Sequence, residues 1–375
     1  MSDKRRADRA KQARRDVRRA KRRTAGTSTD TELTDAIRSA LAGGHPLNLL
    51  SMASMVIHVG KPDRRRDETH LDNILTGLIG VRNRETTALL AVTAELLVDD
   101  PAQQLRCRRE VAERGEHLPR WITALPQVDV YRAVRRTHVF RDVDEVVIGM
   151  RLDRGHELTV AIRIDHNMLS TVTDAAAVPE PIDEALAKVA ETSTDTDIFE
   201  MTLADARVWT EDALNMPTLS PKTDEWPLYR ALVRWLVGRL PEGGEHRSPP
   251  GDWKSGKELC DGFFATSSAA PFTGSSHREL LLELFETGTG DPLRWSAARV
   301  EQAIGGTPHS EYSIPLEVAL DAPDLLRAFI PYAHAQSGIR DELTARTLAM
   351  VESLRTSYKR EVLRHAKYWG LDDVV

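Results

Sequence analysis

Two cysteines in 375 residues, Cys107 and Cys260, are too few for a disulfide framework. They are also too few for a structural zinc site, which draws four tightly spaced Cys/His ligands. They read as two reduced thiols in a cytosolic protein. Long apolar runs are lacking as well. The longest, LNLLSMASMVIHV at 47–59, is shorter than a bilayer-spanning helix and carries His58 near its end, so a buried helix is expected and a membrane partner is not. A secretory signal needs an apolar core behind its basic start, but residues 24–32 are TAGTSTDTE, which leaves the cytoplasm as the expected compartment. Lysine is scarce, ten against 41 arginines, a bias of GC-rich coding that assigns no function by itself.

The chain also lacks the short motifs that announce catalysis. There is no G-x-S-x-G elbow, no H-E-x-x-H pair and no G-x-G-x-x-G turn behind a strand. KSGKE at 254–258 lacks the spacing of a phosphate loop, and ETGTGDP at 286–292 has nothing basic beside it. No catalytic residue, metal or cofactor is assigned on this basis, and whether the protein is an enzyme stays open. Two clusters come nearest. In IDHN (164–167), an Asp and a His at a strand end are the makings of a metal-assisted hydrolase centred on Asp165 and His166. Neighbouring strand residues point to opposite faces, so the plainer expectation is that Asp165 and Asn167 close the strand end through Asx turns. In DETHLDN (67–73), Asp67 and His70 share a helix face, yet acidic residues at a helix start are also ordinary capping.

What the chain has in excess is local positive charge. Residues 1–23 hold twelve cations, a net of +9 after Asp3, Asp8 and Asp16, while the remainder carries a net of −15. The twelve are Lys4, Arg5, Arg6, Arg9, Lys11, Arg14, Arg15, Arg18, Arg19, Lys21, Arg22 and Arg23. On a helix, Ala7, Ala10, Ala13, Val17 and Ala20 form one thin stripe, too small for a bilayer to bury. Repulsion among the arginines leaves such a helix frayed alone, and phosphate neutralises it, so folding on a polyanion is expected. With no aromatic residue in the segment, contact is to backbone rather than to bases.

Beyond this arm (1–28), helical periodicity fills 29–125, with a Thr29–Glu32 capping pair and candidate helices such as RETTALLAVTAELLV. From Pro126 the period changes to two. Val146, Ile148, Met150 and Leu152 alternate with polar residues before DRG, and Leu158, Val160, Ile162 and Ile164 do so after it, which predicts a hairpin with Gly155 at positive φ. VYRAVRRTHVF (130–140) and LSTVTDAAAV (169–178) complete a small antiparallel meander, whose apolar face needs a helical cover. Helices close the 126–240 region, with a Thr202–Asp205 capping box and the nearly all-round apolar WPLYRALVRWLVGRL at 226–240. A Pro/Gly/Ser-rich linker is read at 241–257, and a helical C-terminal domain at 258–375 opens near a Ser276–Glu279 capping pair. The fold class expected is α+β, predominantly helical, with the meander flanked by helical regions.

Three stretches, IRIDHNMLSTVTDAAAVP, DPLRWSAARVEQAI and APDLLRAFIPYAHAQSGI, resemble a group of uncharacterised actinobacterial proteins over roughly residues 145–375. That likeness implies a bacterial, cytosolic origin and no defined activity. The function expected is a non-catalytic accessory protein associated with RNA, DNA or the ribosome through its basic arm. The alternatives are the metal-assisted hydrolase at Asp165 and His166, and an assembly factor that docks on an acidic protein surface.

Overall fold

Period-two alternation builds the centre of the molecule. The computed structural model describes residues 32–60, 70–191, 195–217, 226–248, 253–272, 274–306 and 314–368. The twelve basic residues of the arm, the Thr29 cap, Asp67 and Glu68 lie outside the described residues, as does the side chain of His70. Strands β1 (Asp129–His138), β2 (Val143–Leu152), β3 (His156–Asp165) and β4 (Thr171–Val178) form the expected meander. Gly155 sits at φ 76° in the β2–β3 turn, where only glycine is unstrained. A fifth strand, β5 (Thr196–Met201), adds beside β1 and gives the antiparallel order β4-β3-β2-β1-β5. TDIFEM has no apolar/polar alternation, and its side chains stay mostly exposed on a sheet edge, so periodicity does not reveal it.

The even-numbered residues of β2 and β3 share one face and pack into the larger core together with α8 (Leu203–Asn215) and α9 (Trp226–Val237). On the opposite face, Val134 and Val147 meet Ile182 and Leu186 of α7 (Ile182–Ala190). Helix α9 is buried nearly all round through Trp226, Leu232, Trp235 and Leu236, as its composition predicts. Helices α1 (residues 32–42), α2 (Leu47–Val59), α3 (His70–Gly80), α4 (Arg84–Leu96), α5 (Pro101–Arg114) and the short α6 (Arg120–Thr123) extend this core. Asn83 and Asp100 cap α4 and α5 by accepting the Thr86 and Gln103 amides. Thr202 caps α8 in the expected way, accepting the Asp205 amide at 3.0 Å.

A second core belongs to α10 (Trp253–Phe264), α11 (Ser275–Phe285), α12 (Ala297–Ile304), α13 (Leu316–Ala319), α14 (Ala322–Ser337) and α15 (Asp341–Tyr368). Phe263, Phe285, Trp295 and Phe329 meet there, with Phe329 edge-on to Phe263 at 5.2 Å between ring centres. Helix α11 starts at Ser275 behind Gly274, with no side-chain cap, so the Ser276–Glu279 pair does not cap it. Cys107 and Cys260 are both buried free thiols, and burial pushes each up to about 11, so neither is poised to react. Among the described residues no helix is long and apolar enough to cross a membrane.

The two cores meet at the turns that end the sheet. Arg294 Nε donates to the Val139 carbonyl at 3.1 Å, and Phe140 of the β1–β2 turn packs with Ile339 and Leu343. After β3, Asn167 is pressed against the loop behind α11. A methyl group on Gly288 would sit 2.5 Å from Asn167 Oδ1 and 2.9 Å from Arg299 Cγ, and Gly288 holds φ 61°. Gly288→Ala is therefore expected to lose about 2 kcal/mol in a denaturant melt, through left-handed strain and overpacking. Gly290→Ala, at φ 74° but in open space, should lose less, and equal losses would refute the steric part.

Candidate functional site

The inner face of the sheet is apolar along most of its length, but its end toward the β1–β2 and β3–β4 turns is charged. Asp144 continues the register of Val146 and Ile148 back by one pair, and His166 follows Ile164, so alternation places both on the buried face. His166 Nε2 lies 3.0 Å from Asp144 Oδ2, and Nδ1 lies 2.9 Å from Ser170 Oγ. Burial opposes ionisation of Asp144. The hydrogen bond and charge of His166, the hydroxyl of Thr137 across the strand pair and the charge of Arg135 outweigh it and hold the carboxyl below its ordinary range. An ionised carboxylate only accepts, so Nε2 of His166 donates to Asp144, and in the neutral ring Nδ1 is then the acceptor for the Ser170 hydroxyl.

Asp165 and His166 are not brought together on one ion. Asp165 Oδ1 accepts the Asn167 amide at 3.0 Å in an Asx turn, while His166 points to Asp144. Burial, partly offset by the Asn167 amide, pushes the Asp165 carboxyl above its ordinary range. Among the described residues no group of three His, Cys, Asp or Glu side chains could hold a metal ion. The structure thus separates the two side chains on which the metal-assisted hydrolase reading is centred.

Above Asp144 opens a cleft of about 700 Å³, lined by Arg135, Arg141 and Arg247 together with Phe199 and Trp209. Arg135 comes from β1 and lies 4.8 Å from the ring centre of Phe199 and 5.3 Å from that of Trp209. Arg141 sits in the β1–β2 turn at φ 53°, a left-handed conformation that is costly for a non-glycine residue. Arg247 arrives from within the segment read as a linker. That segment is tied to α8: Trp209 Nε1 donates to Glu245 O at 3.0 Å, the Glu245 amide donates to Asp205 at 2.7 Å, and His246 pairs with Asp212 at 2.6 Å. These bonds deliver the Arg247 guanidinium to within 3.7 Å of Asp144 Oδ2.

Three guanidinium groups thus surround one carboxylate that His166 and Thr137 already engage. Burial lowers the Arg247 pKa from its ordinary value; Asp144 opposes this, and the like charges of Arg135 and Arg141 add to it. Among the described residues Arg135 and Arg141 have no carboxylate partner within ion-pair distance. The acids on the rim are committed or exposed. Glu200 pairs with Arg132, Asp205 holds Thr202 and the Glu245 amide, and Glu245 faces solvent. A second hollow of about 470 Å³ shares Trp209 and Arg247 with the cleft, and has His166, Ser170 and Leu169 on its wall.

The arrangement can seat an anionic group against guanidinium donors and present a serine hydroxyl to a histidine nitrogen. His166 is legible in the sequence, and Asp144 is signalled by the alternation of VDEVVIGM. Ser170 lies four residues after His166, across a turn, and Arg247 lies 81 residues after it in a stretch without periodicity, so neither leaves a local mark. In comparisons with known proteins, no family model, no curated protein and no solved structure matches this chain.

Proposed function

We propose that the protein is a bacterial, cytoplasmic, nucleic-acid-associated accessory protein that holds phosphate at two places, the Lys4–Arg23 arm and the Arg135–Arg141–Arg247 cleft. The observation that carries this reading is the cleft: three arginines face it, two of them without a carboxylate partner among the described residues, on a body whose net charge is strongly negative. Guanidinium donors gathered in a half-enclosed space, beside Asp144, Glu200 and Asp205 that already hold other partners, are what a phosphate ligand would engage. Phe199 and Trp209 beside the arginines supply flat apolar surface, which the arm lacks entirely. RNA, DNA and the ribosome share the phosphate chemistry.

The test is fluorescence anisotropy with a labelled single-stranded RNA and a DNA duplex over a salt series. With about eight phosphate contacts, log K should fall against log salt with a slope of roughly −7 on the duplex and roughly −6 on the single strand. Changing the twelve arm cations to Gln in the full chain should flatten the slope by most of that amount. Arg135→Gln with Arg141→Gln should flatten it by about 2. Binding and slope unaltered in both variants would sink the proposal.

A further inference from the structure

Ser170 occupies an unusual backbone. Met168 to Thr171 form the tight turn between β3 and β4, closed by the Thr171 amide on the Met168 carbonyl at 3.2 Å. The two central residues, Leu169 and Ser170, hold φ 58° and 56°. Such a turn is ordinarily made by Asn-Gly, because a side chain strains both positions. Here a leucine and a serine bear that strain, and Leu169 is half-exposed at the lip of the smaller hollow. The geometry that results places the Ser170 hydroxyl 2.9 Å from His166 Nδ1, on the wall of that hollow.

The rest of the constellation follows. Asp144 is a carboxylate buried in an apolar register, and its burial is offset by fixing the His166 ring through Nε2. With Nε2 committed, the Nδ1 lone pair faces a serine proton. Arg247 lines both hollows and is the one arginine in the wall that also holds Ser170.

We propose that Ser170, His166 and Asp144 form an ester-hydrolysing relay whose substrate is a small carboxylic ester carrying an anionic group. The anionic group sits against Arg135 and Arg141 in the larger cleft, and the acyl carbon lies at Ser170. Ser170 Oγ bonds to that carbon as its proton passes to His166 Nδ1. The carbon–alkoxy bond then breaks, and the leaving alkoxide takes the proton from Nδ1. Water attacks the acyl-serine, giving one proton to the same nitrogen, the Oγ–carbon bond breaks, and Ser170 takes that proton as the carboxylic acid leaves. Ester and water become carboxylic acid and alcohol, with no redox partner. Ser170 is the nucleophile, His166 the base, and Asp144 a positioning residue.

The proposal goes beyond phosphate binding and does not depend on the arm. Full-length protein is incubated with a fluorophosphonate and followed by intact mass and peptide mapping. One adduct on the peptide bearing Ser170 is expected, absent in Ser170→Ala and retained when the arm cations are Gln. Hydrolysis of a 4-nitrophenyl ester of a dicarboxylic acid should exceed that of 4-nitrophenyl acetate by about tenfold in kcat/KM. Arg135→Gln with Arg141→Gln should bring the kcat/KM ratio of the two esters down from about ten toward one. No adduct on Ser170, or equal hydrolysis by folded Ser170→Ala protein, would show the network to be purely structural. Loss of RNA binding with labelling intact would overturn the accessory reading alone.

Discussion

Replacing Arg299 with leucine is expected to destabilise the protein by about 3–5 kcal/mol, the largest effect of any single substitution considered. Arg299 lies on α12, is 1% exposed, and its guanidinium donates to the carbonyls of Asp291, Arg294 and Phe285. The Phe285 carbonyl belongs to the last turn of α11, where the helix leaves its carbonyls without internal donors. One side chain therefore ties the end of α11, the loop that follows it and the start of α12, while stacking 4.1 Å from the Trp295 ring centre. Burial pushes its pKa down to about 9, partly offset by Asp291 and Asp142, so it is still a cation at neutral pH. Leucine fills part of the volume but takes the guanidinium donor from the Arg294 and Phe285 carbonyls and leaves the Asp291 carbonyl only the long 3.4 Å bond from the Arg294 amide, at about 1–3 kcal/mol for each acceptor left unpaired. Arg299→Lys separates charge from geometry. An ammonium lacks the planar fork that reaches three carbonyls, so the lysine variant should lose most of the same stability. Urea melts followed by tryptophan fluorescence would check this, and a lysine variant as stable as the parent would refute it.

How much of this was legible in the sequence differs by element. The β2–β3 hairpin is written out twice over, because a sheet with one covered face imposes alternation and the turn demands Gly155. Helix α9 announces its burial by being apolar all round. Strand β5 does not, since an edge strand with exposed side chains is under no such pressure. The candidate site is half legible. A charged residue standing in the apolar phase of a strand, as Asp144 does before Val146 and Ile148, is a signal that can be read from the chain alone. What it pairs with is set by register and by a turn, and what approaches it from 245–248 is set by three hydrogen bonds to α8. Composition marks that stretch as a linker because Pro, Gly and Ser resist regular structure; it says nothing of side-chain anchoring. Arg299 is hidden for a related reason. In WSAARVEQAI an arginine fits an exposed helical position as well as a buried one, and only the arrangement of α11 and its loop decides between them.

Acid is expected to loosen the junction between the two cores through His334. The ring is 1% exposed, 5.6 Å from Phe140 between ring centres, in the place where the β1–β2 turn meets α14 and α15. Its Nε2 accepts the Trp295 amide at 3.3 Å, and its Nδ1 donates to Thr344 Oγ1 at 2.9 Å, an arrangement that uses the neutral ring fully. A second proton on Nε2 would face the Trp295 N–H, donor against donor, in surroundings supplied by Phe140, Ile339 and Leu343. Burial pushes the pKa down to about 4, against 6.5 for an ordinary histidine. Between those values the unfolded chain binds a proton that the folded chain refuses, so folding stability rises with pH through the window and is lost on acidification from 6.5 toward 4. The loss from this one residue is about 3 kcal/mol. His334→Gln keeps an acceptor and a donor without a titrating group. Its stability at neutral pH should fall, while the difference between melts at pH 7 and pH 4.5 should shrink by about 2 kcal/mol relative to the parent. Every other titrating group is common to both proteins and cancels in that comparison. Parallel pH dependences for the two would place the acid sensitivity elsewhere.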